Sequence, residues 1–138
     1  MAATTDPAEY LRAVLLAFVE SPAIREFTVV QQWAHSDDGF LRVRATLVNG
    51  DFLEAAEYFA REGDELVTVD YRHHWAGPEG RPLRRRWDST PHFPELPAFP
   101  QHSHVGSEDN VEPSEPISLI RLLDMLYLSI DPGHAPPE

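Results

Sequence analysis

The sequence predicts an α+β fold: a five-stranded antiparallel meander sheet flanked by an N-terminal and a C-terminal helix, with a long ordered loop rich in proline and histidine. Apolar residues recur at helical spacing near both ends of the chain, and β-branched and aromatic segments separated by turn residues fill its middle. Prolines punctuate residues 89–116. The length of 138 residues suits a single domain, 1–138, with its own hydrophobic core.

The first predicted element is a helix over about residues 7–20. Asp6 can cap it, Pro7 suits its first position, and Glu9 lies three residues after the cap. Its apolar residues recur on one face at helical spacing, at Leu11, Val14, Leu15, Phe18 and Val19. We therefore expect this helix to cover a sheet.

Five strands are predicted over about residues 26–88, and one hairpin among them is signalled by the dipeptide NG at 49–50. This dipeptide strongly favours a two-residue turn, which here brings apolar residues opposite one another along both strands. The same register sends the Glu54 side chain inward. It also places Glu57 on the outer face, opposite Arg42.

A second hairpin is predicted over residues 65–88, with a three-residue loop at its turn. That register keeps the aromatic residues together on one face. On the other face it places like charges opposite each other, Arg72 with Arg86 and Asp70 with Asp88, which is destabilising. We expect that face to need counter-charges from elsewhere in the protein or from a ligand.

The chain then enters the predicted loop, residues 89–116, whose apolar residues favour a packed conformation. A last helix is predicted over about residues 118–130, with Ser118 as its cap. Apolar residues lie well round this helix, so it should be buried on more than one side. Either the sheet and loop bury it, or it forms a partner or homodimer interface.

The charge of the chain limits the functions that it can have. The formal net charge is −12, which argues against broad, nonspecific nucleic-acid binding. All eleven basic residues are arginines, and five of them fall within residues 72–86. Guanidinium groups suit phosphate or carboxylate ligands, although these arginines could instead pair with the protein's own acids. There is no cysteine, no stretch long enough to span a membrane and no signal-peptide pattern, so a cytoplasmic location is expected.

The residues around the second hairpin and the loop suggest phosphate chemistry. Histidines can transfer protons near neutral pH, and arginines can bind a phosphate and stabilise charge in a transition state. Metal-independent RNA cleavage needs such a set. The candidate catalytic residues are His74, Asp88, His92, His102 and His104, and the candidate substrate-binding residues are Arg72, Arg84 and Arg86.

Metal binding is the alternative use of the same histidines. His102 and His104 form an H-x-H pair that points to one side of an extended segment, and His92 and Asp88 could complete a ligand set. This spacing is not diagnostic, and no metal or cofactor is assigned.

The stretch YRHHWAGPEGRPLRRRWDSTPHFPELPAFPQHSHVGSEDNVEPSEP, with the upstream segment LRVRATLVNGDFLEAAEYF, resembles the TumE-like family of proposed toxins from prokaryotic toxin–antitoxin systems. The similarity covers roughly residues 21–130. The matching positions are Tyr71, His74, Arg86, Trp87, Asp88, Pro91, His92, Phe99, Pro100, His102, His104 and Gly106. The chain departs from the family pattern at Ser89, Phe93, Gln101 and Ser103.

The resemblance implies a toxin that is encoded beside a small DNA-binding antitoxin. Combined with the arginine and histidine residues, it leads to the hypothesis of a type II toxin that cleaves RNA without a metal. The competing hypothesis is a non-catalytic, acidic protein-binding module or adaptor whose last helix binds a partner.

Overall fold

The computed structural model describes residues 4–91, 95–96 and 99–130. Within these residues, one sheet of seven strands and two helices form an α+β fold, and the strands follow one another across the sheet in chain order, each antiparallel to the next. The elements are α1 (Pro7–Glu20), β1 (Ile24–Ala34), β2 (Asp38–Leu47), β3 (Phe52–Glu62), β4 (Glu65–Ala76), β5 (Leu83–Asp88), β6 (His102–Val105), β7 (Val111–Pro113) and α2 (Leu119–Ile130).

Both helices pack on one face of the sheet, which we call the covered face, and no helix formed by the described residues lies on the other, the open face. The predicted caps are confirmed: Asp6 accepts from the Ala8 N–H at 3.2 Å, and Ser118 Oγ accepts from the Arg121 N–H at 3.1 Å. Each helix buries one apolar stripe against the covered face, α1 through Pro7, Leu11, Val14 and Phe18, and α2 through Leu119, Leu122, Leu123 and Leu126. No helix in the described part of the chain is long and apolar enough to cross a membrane.

The sheet has seven strands, so the prediction of five is wrong. The first five strands correspond to the predicted ones, and β6 and β7 are two short strands inside the segment predicted as a loop, 89–116. They were missed because four and three residues flanked by prolines are too short to show alternation. Pro113 is compatible with a strand because β7 is an edge strand.

The hairpin of β2 and β3 has a three-residue loop instead of the predicted two-residue turn. Leu47 N–H donates to the Asp51 carbonyl at 2.8 Å across residues 48–50. Gly50 has φ 92°, the left-handed conformation that ends such a loop and that glycine adopts without strain. The predicted register is therefore wrong by one residue, and Glu57 lies opposite Leu41.

A slip of one residue exchanges the two faces of a strand. Glu54 thus lies on the open face, with its carboxylate 3.3 Å from the Arg44 guanidinium. Glu57 lies in the core and is only 1% exposed. Its carboxylate accepts hydrogen bonds from the Tyr10 hydroxyl (3.0 Å), the Thr68 hydroxyl (2.7 Å) and the Leu119 N–H (2.9 Å). Burial raises the pKa of Glu57 despite these donors.

The hairpin of β4 and β5 differs from its predicted register by two residues. Its chain turns through residues 77–82, which is longer than the predicted loop, and Arg72 lies opposite Asp88 while His74 lies opposite Arg86. A shift of two residues keeps the side chains of residues 70–75 and 85–88 on their predicted faces. It replaces the predicted Arg72–Arg86 repulsion with an opposite-charge pair, so the hairpin supplies a counter-charge itself. By contrast, a bulge in β4 at Val69 moves Thr68 from its predicted face to the covered face, where its hydroxyl contacts Glu57.

Candidate active site on the open face of the sheet

Strand pairing brings most of the predicted site residues together on the open face. Alternate side chains of a strand share a face, and directly opposite residues of neighbouring strands lie side by side. Two rows therefore cross β4, β5 and β6: Arg72, Asp88 and His102 form one, and His74, Arg86 and His104 form the other. The carboxylate of Asp88, in the first row, is therefore surrounded by arginine and histidine side chains of both rows.

Asp88 is the centre of this arrangement and is 3% exposed. Its Oδ1 lies 3.0 Å from His102 Nε2, and its Oδ2 lies 3.8 Å from His104 Nε2 and 3.3 Å from Arg86 Nε. Oδ1 also accepts a hydrogen bond from the Thr90 N–H at 3.0 Å. We call Asp88, His102 and His104 the Asp–His–His centre.

Backbone carbonyls orient both histidines of this centre. His102 Nδ1 lies 3.0 Å from the Pro100 carbonyl, and His104 Nδ1 lies 2.9 Å from the Glu108 carbonyl. A carbonyl oxygen can only accept, so each Nδ1 carries a hydrogen and donates it. Each Nε2 then faces Asp88, and both rings are buried, at 1% and 5% exposure.

Arg86 is held by two carboxylates. Its Nη1 and Nη2 donate to Glu108 at 2.5 and 2.6 Å in a two-bond contact, while Nε faces Asp88. The hydrogen bonds from Arg86 are the main reason why the pKa of Glu108 is lowered, and those from Glu108 raise the pKa of Arg86. Because the side chain of Glu108 is 62% exposed, a phosphate arriving from solvent could compete with it for Arg86.

His74 lies at the edge of the site and is half-buried. Burial lowers its pKa first, and the charges of Arg86 and Arg72 lower it further. His74 is therefore neutral at pH 7 and is able to accept a proton.

A groove runs beside the Asp–His–His centre on the open face. It consists of two adjoining cavities of about 350 and 340 Å³, which share Arg42, Ala56 and Arg72 as lining residues. Phe40 and Tyr58 line the first cavity, and His74 lines the second. Aromatic and arginine side chains thus lie along the groove together with the carboxylates of Asp70 and Glu54, and Arg72 and His74 belong to both the groove and the two rows.

Of the predicted site residues, Arg84 lies apart from this cluster and His92 is not among the described residues. Arg84 Nε lies 3.4 Å from Asp51 Oδ2, and Arg84 is four residues from Asp88 along β5, or about 13 Å. The sequence prediction also missed Glu108, because the turn between β6 and β7 that brings it back to Arg86 was not recognised.

A buried carboxylate between oriented imidazoles, with arginines beside it and a groove on the same face of the sheet, defines a class of site that can bind and process an anionic substrate. The sequence model of the family described as Toxin TumE matches residues 12–130. The chain therefore belongs to the TumE toxin family, as its resemblance predicted. No curated protein and no solved structure matches it significantly.

Three of the four residues that depart from the family pattern are described, and their side chains make hydrogen bonds away from the Asp–His–His centre. Ser89 Oγ accepts from the Tyr71 N–H at 3.1 Å, Gln101 Oε1 accepts from the Tyr71 hydroxyl at 2.7 Å, and Ser103 Oγ accepts from Arg85 Nη2 at 3.2 Å. Tyr71 and Arg85 point to the covered face, whereas both histidines of the centre still face Asp88. The fourth departure, Phe93, lies outside the described residues.

Proposed function

We propose that this chain is the toxin of a type II toxin–antitoxin pair and that it cleaves phosphodiester bonds in RNA on the open face of the sheet. The observation that carries the proposal is the pair of rows across β4, β5 and β6, which join proton-transfer groups to arginines beside a groove. Membership of the TumE family supports the toxin role.

The groove has the chemistry that a single-stranded substrate needs. Unpaired bases stack on aromatic side chains, and arginines bind the phosphates between them. Phe40 and Tyr58 would serve the bases, and Arg42 and Arg72 the phosphates. Asp70 and Glu54 also line the groove, so its two arginines are matched by two carboxylates, whereas the net charge of −12 disfavours binding elsewhere on the protein.

Strand scission requires proton transfers that this site can supply. In the metal-independent route predicted from the sequence, a neutral histidine such as His74 takes the proton of the RNA 2′-hydroxyl, whose oxygen attacks phosphorus. The bond to the 5′-oxygen breaks, and that oxygen takes a proton from the ring of His102 or His104. The products are a 2′,3′-cyclic phosphate and a 5′-hydroxyl. Arg86 would stabilise the charge on the phosphorane oxygens.

The partner and the location of the protein follow from the same proposal. A toxin of this class would be held inactive by a small DNA-binding antitoxin, and both would act in the cytoplasm, where the RNA is. The predicted homodimer stays a prediction.

The direct test incubates purified full-length protein with a defined single-stranded RNA and maps the new ends. We expect cleavage by the wild type and a loss of cleavage in Asp88→Asn, while the control Arg121→Ala, an exposed arginine of α2, cleaves normally. Circular dichroism establishes that each variant is folded. Absence of cleavage by the folded wild type, or equal cleavage by Asp88→Asn, would reject the proposal and favour the adaptor hypothesis.

A further inference from the structure

Three ligand atoms of the Asp–His–His centre converge on one point. An oxygen of Asp88 and one nitrogen from each of His102 and His104 all lie within 4.8 Å of one another. All three residues are at least 95% buried. They come from two adjacent strands of the sheet, so the backbone fixes their spacing.

The chemical roles of these atoms make a shared cation the natural partner. Each Nδ1 donates to a backbone carbonyl, so in the neutral imidazole each Nε2 is an acceptor with its lone pair toward Asp88. A carboxylate is also an acceptor. Asp88 also accepts from the Thr90 N–H and faces Arg86 Nε, and a metal ion could bind to the remaining lone pairs of the same three side chains.

We propose that Asp88, His102 and His104 bind a divalent metal ion of the imidazole-preferring type, for which Zn²⁺ is the probe. Two imidazoles and one carboxylate are a common ligand set for such ions, and three protein ligands leave one position open for water or a phosphate oxygen. Tetrahedral Zn²⁺ with bonds of about 2.0 Å places its ligand atoms roughly 3.3 Å apart. His102 Nε2 lies 3.0 Å from Asp88 Oδ1 and His104 Nε2 lies 3.8 Å from Asp88 Oδ2, and one oxygen with one nitrogen of each ring fits within 4.8 Å, so the three side chains would move closer together around the ion.

The surroundings match those of metal sites. Histidine ligands of metals typically donate their second ring hydrogen to a carbonyl or carboxylate, which fixes the ring and makes it a better ligand. Both histidines here do so. Arg86 orients the Asp88 carboxylate, and its own charge is offset by the two-bond contact with Glu108.

The metal changes the expected route of cleavage. A metal that activates water would leave no 2′,3′-cyclic phosphate, in contrast to the metal-independent route, and it would also polarise the phosphate as a Lewis acid. This catalytic role rests on the proposed function. Binding of the metal does not rest on it, and binding can be tested without RNA.

The experiment titrates metal-stripped full-length protein with ZnCl₂ by calorimetry and, in parallel, with CoCl₂ by visible absorption. We expect one ion per chain. We expect His102→Ala and His104→Ala each to weaken binding by more than about 100-fold, since loss of an outer-shell partner alone costs 10–100-fold. The matched control is His35→Ala, which removes an exposed histidine lying 3.2 Å from the Asp38 carboxylate and should leave binding unchanged.

A measurement on the wild type tests the inference even if the histidine variants do not fold. Long-range ¹H–¹⁵N spectra of the histidine rings should show two Nε2 signals that shift on addition of ZnCl₂ while their Nδ1 atoms stay protonated. The inference is overturned if the wild type binds no Zn²⁺ below about 1 mM. It is also overturned if the folded His102→Ala and His104→Ala variants bind as tightly as the wild type. Metal binding without RNA cleavage would reject only the proposed function, whereas cleavage by a protein that binds no metal would reject only this inference.

Discussion

Replacement of the buried Glu57 tests the register of β2 and β3 through stability. Glu57→Ala removes the common acceptor of three hydrogen bonds that join α1, β4 and α2 to β3. Glu54→Ala is the matched control, because Glu54 is a carboxylate on the same strand, three residues earlier, on the open face. The register predicted from the sequence would exchange the two roles.

The size of the effect follows from the groups that are left behind. A buried N–H without a partner, here that of Leu119, costs about 1–3 kcal/mol, and each half-buried hydroxyl, those of Tyr10 and Thr68, loses about 0.5–1.5 kcal/mol. This loss of stability is partly offset because the variant no longer buries the carboxyl group of Glu57. The net loss is about 3 kcal/mol, or roughly 10 °C in Tm for a domain of this size. Glu54→Ala breaks only a partly exposed ion pair with Arg44 and should cost about 0–1 kcal/mol.

The pH dependence of this loss has a definite sign. Burial raises the pKa of Glu57 above its ordinary value of 4.5, so the folded protein holds this proton more tightly than the unfolded chain does. The stability that it contributes is complete below pH 4.5 and is lost as pH rises through the folded pKa. The difference between wild type and Glu57→Ala should therefore be largest at acidic pH and narrow toward neutrality.

Urea denaturation of the three proteins at pH 4.5 and pH 7 measures both quantities. A larger loss for Glu54→Ala than for Glu57→Ala would contradict the register. A difference between wild type and Glu57→Ala that widens with rising pH would contradict the burial of this carboxyl group.

Three further outcomes follow from the structure. Burial lowers the pKa of His73 to about 4, so its contribution to stability is present above pH 6.5 and is lost as pH falls toward 4. Urea denaturation between these pH values should show that the wild type loses up to about 3 kcal/mol more stability on acidification than His73→Gln does. Arg72→Ala should lower the rate of RNA cleavage about 10- to 100-fold, the value of one hydrogen bond to a charged group, and leave Tm unchanged, whereas Arg121→Ala should leave both the rate and Tm unchanged. The metal proposed at the Asp–His–His centre and the metal-independent route differ in one outcome: with a catalytic metal, a chelator abolishes cleavage and ZnCl₂ restores it, whereas an unchanged rate in metal-stripped protein would contradict the catalytic metal and support the metal-independent route.

The sequence was sufficient for the parts of the fold that local patterns determine. The caps at Asp6 and Ser118 and the apolar stripes define both helices, and the first five strands have clear alternation and turn residues. In the β4–β5 hairpin, residues 70–75 and 85–88 have their predicted faces because the register shift between the two strands is even there. For this reason Arg72, His74 and Arg86 were correctly placed on one face. The bulge at Val69, which places Thr68 on the covered face, was not predicted.

The remaining features depend on geometry that the sequence does not display. The dipeptide at 49–50 fits a two-residue and a three-residue loop equally well, and the difference of one residue decides that Glu57 is buried. β6 is recognisable only through its pairing with β5, which brings His102 and His104 to Asp88. The residue types of the centre were thus identified from the sequence, whereas their contacts required the sheet.

Growth after tightly induced expression in a bacterial host tests the central claim most directly. The wild type is compared with the double variant His102→Ala/His104→Ala and with His35→Ala, all at the same soluble level. The account predicts that the wild type and His35→Ala stop growth and produce new RNA ends, and that the double variant does neither. Arrest by a folded double variant, or unimpeded growth with abundant soluble wild type, would contradict a toxin that acts through the Asp–His–His centre.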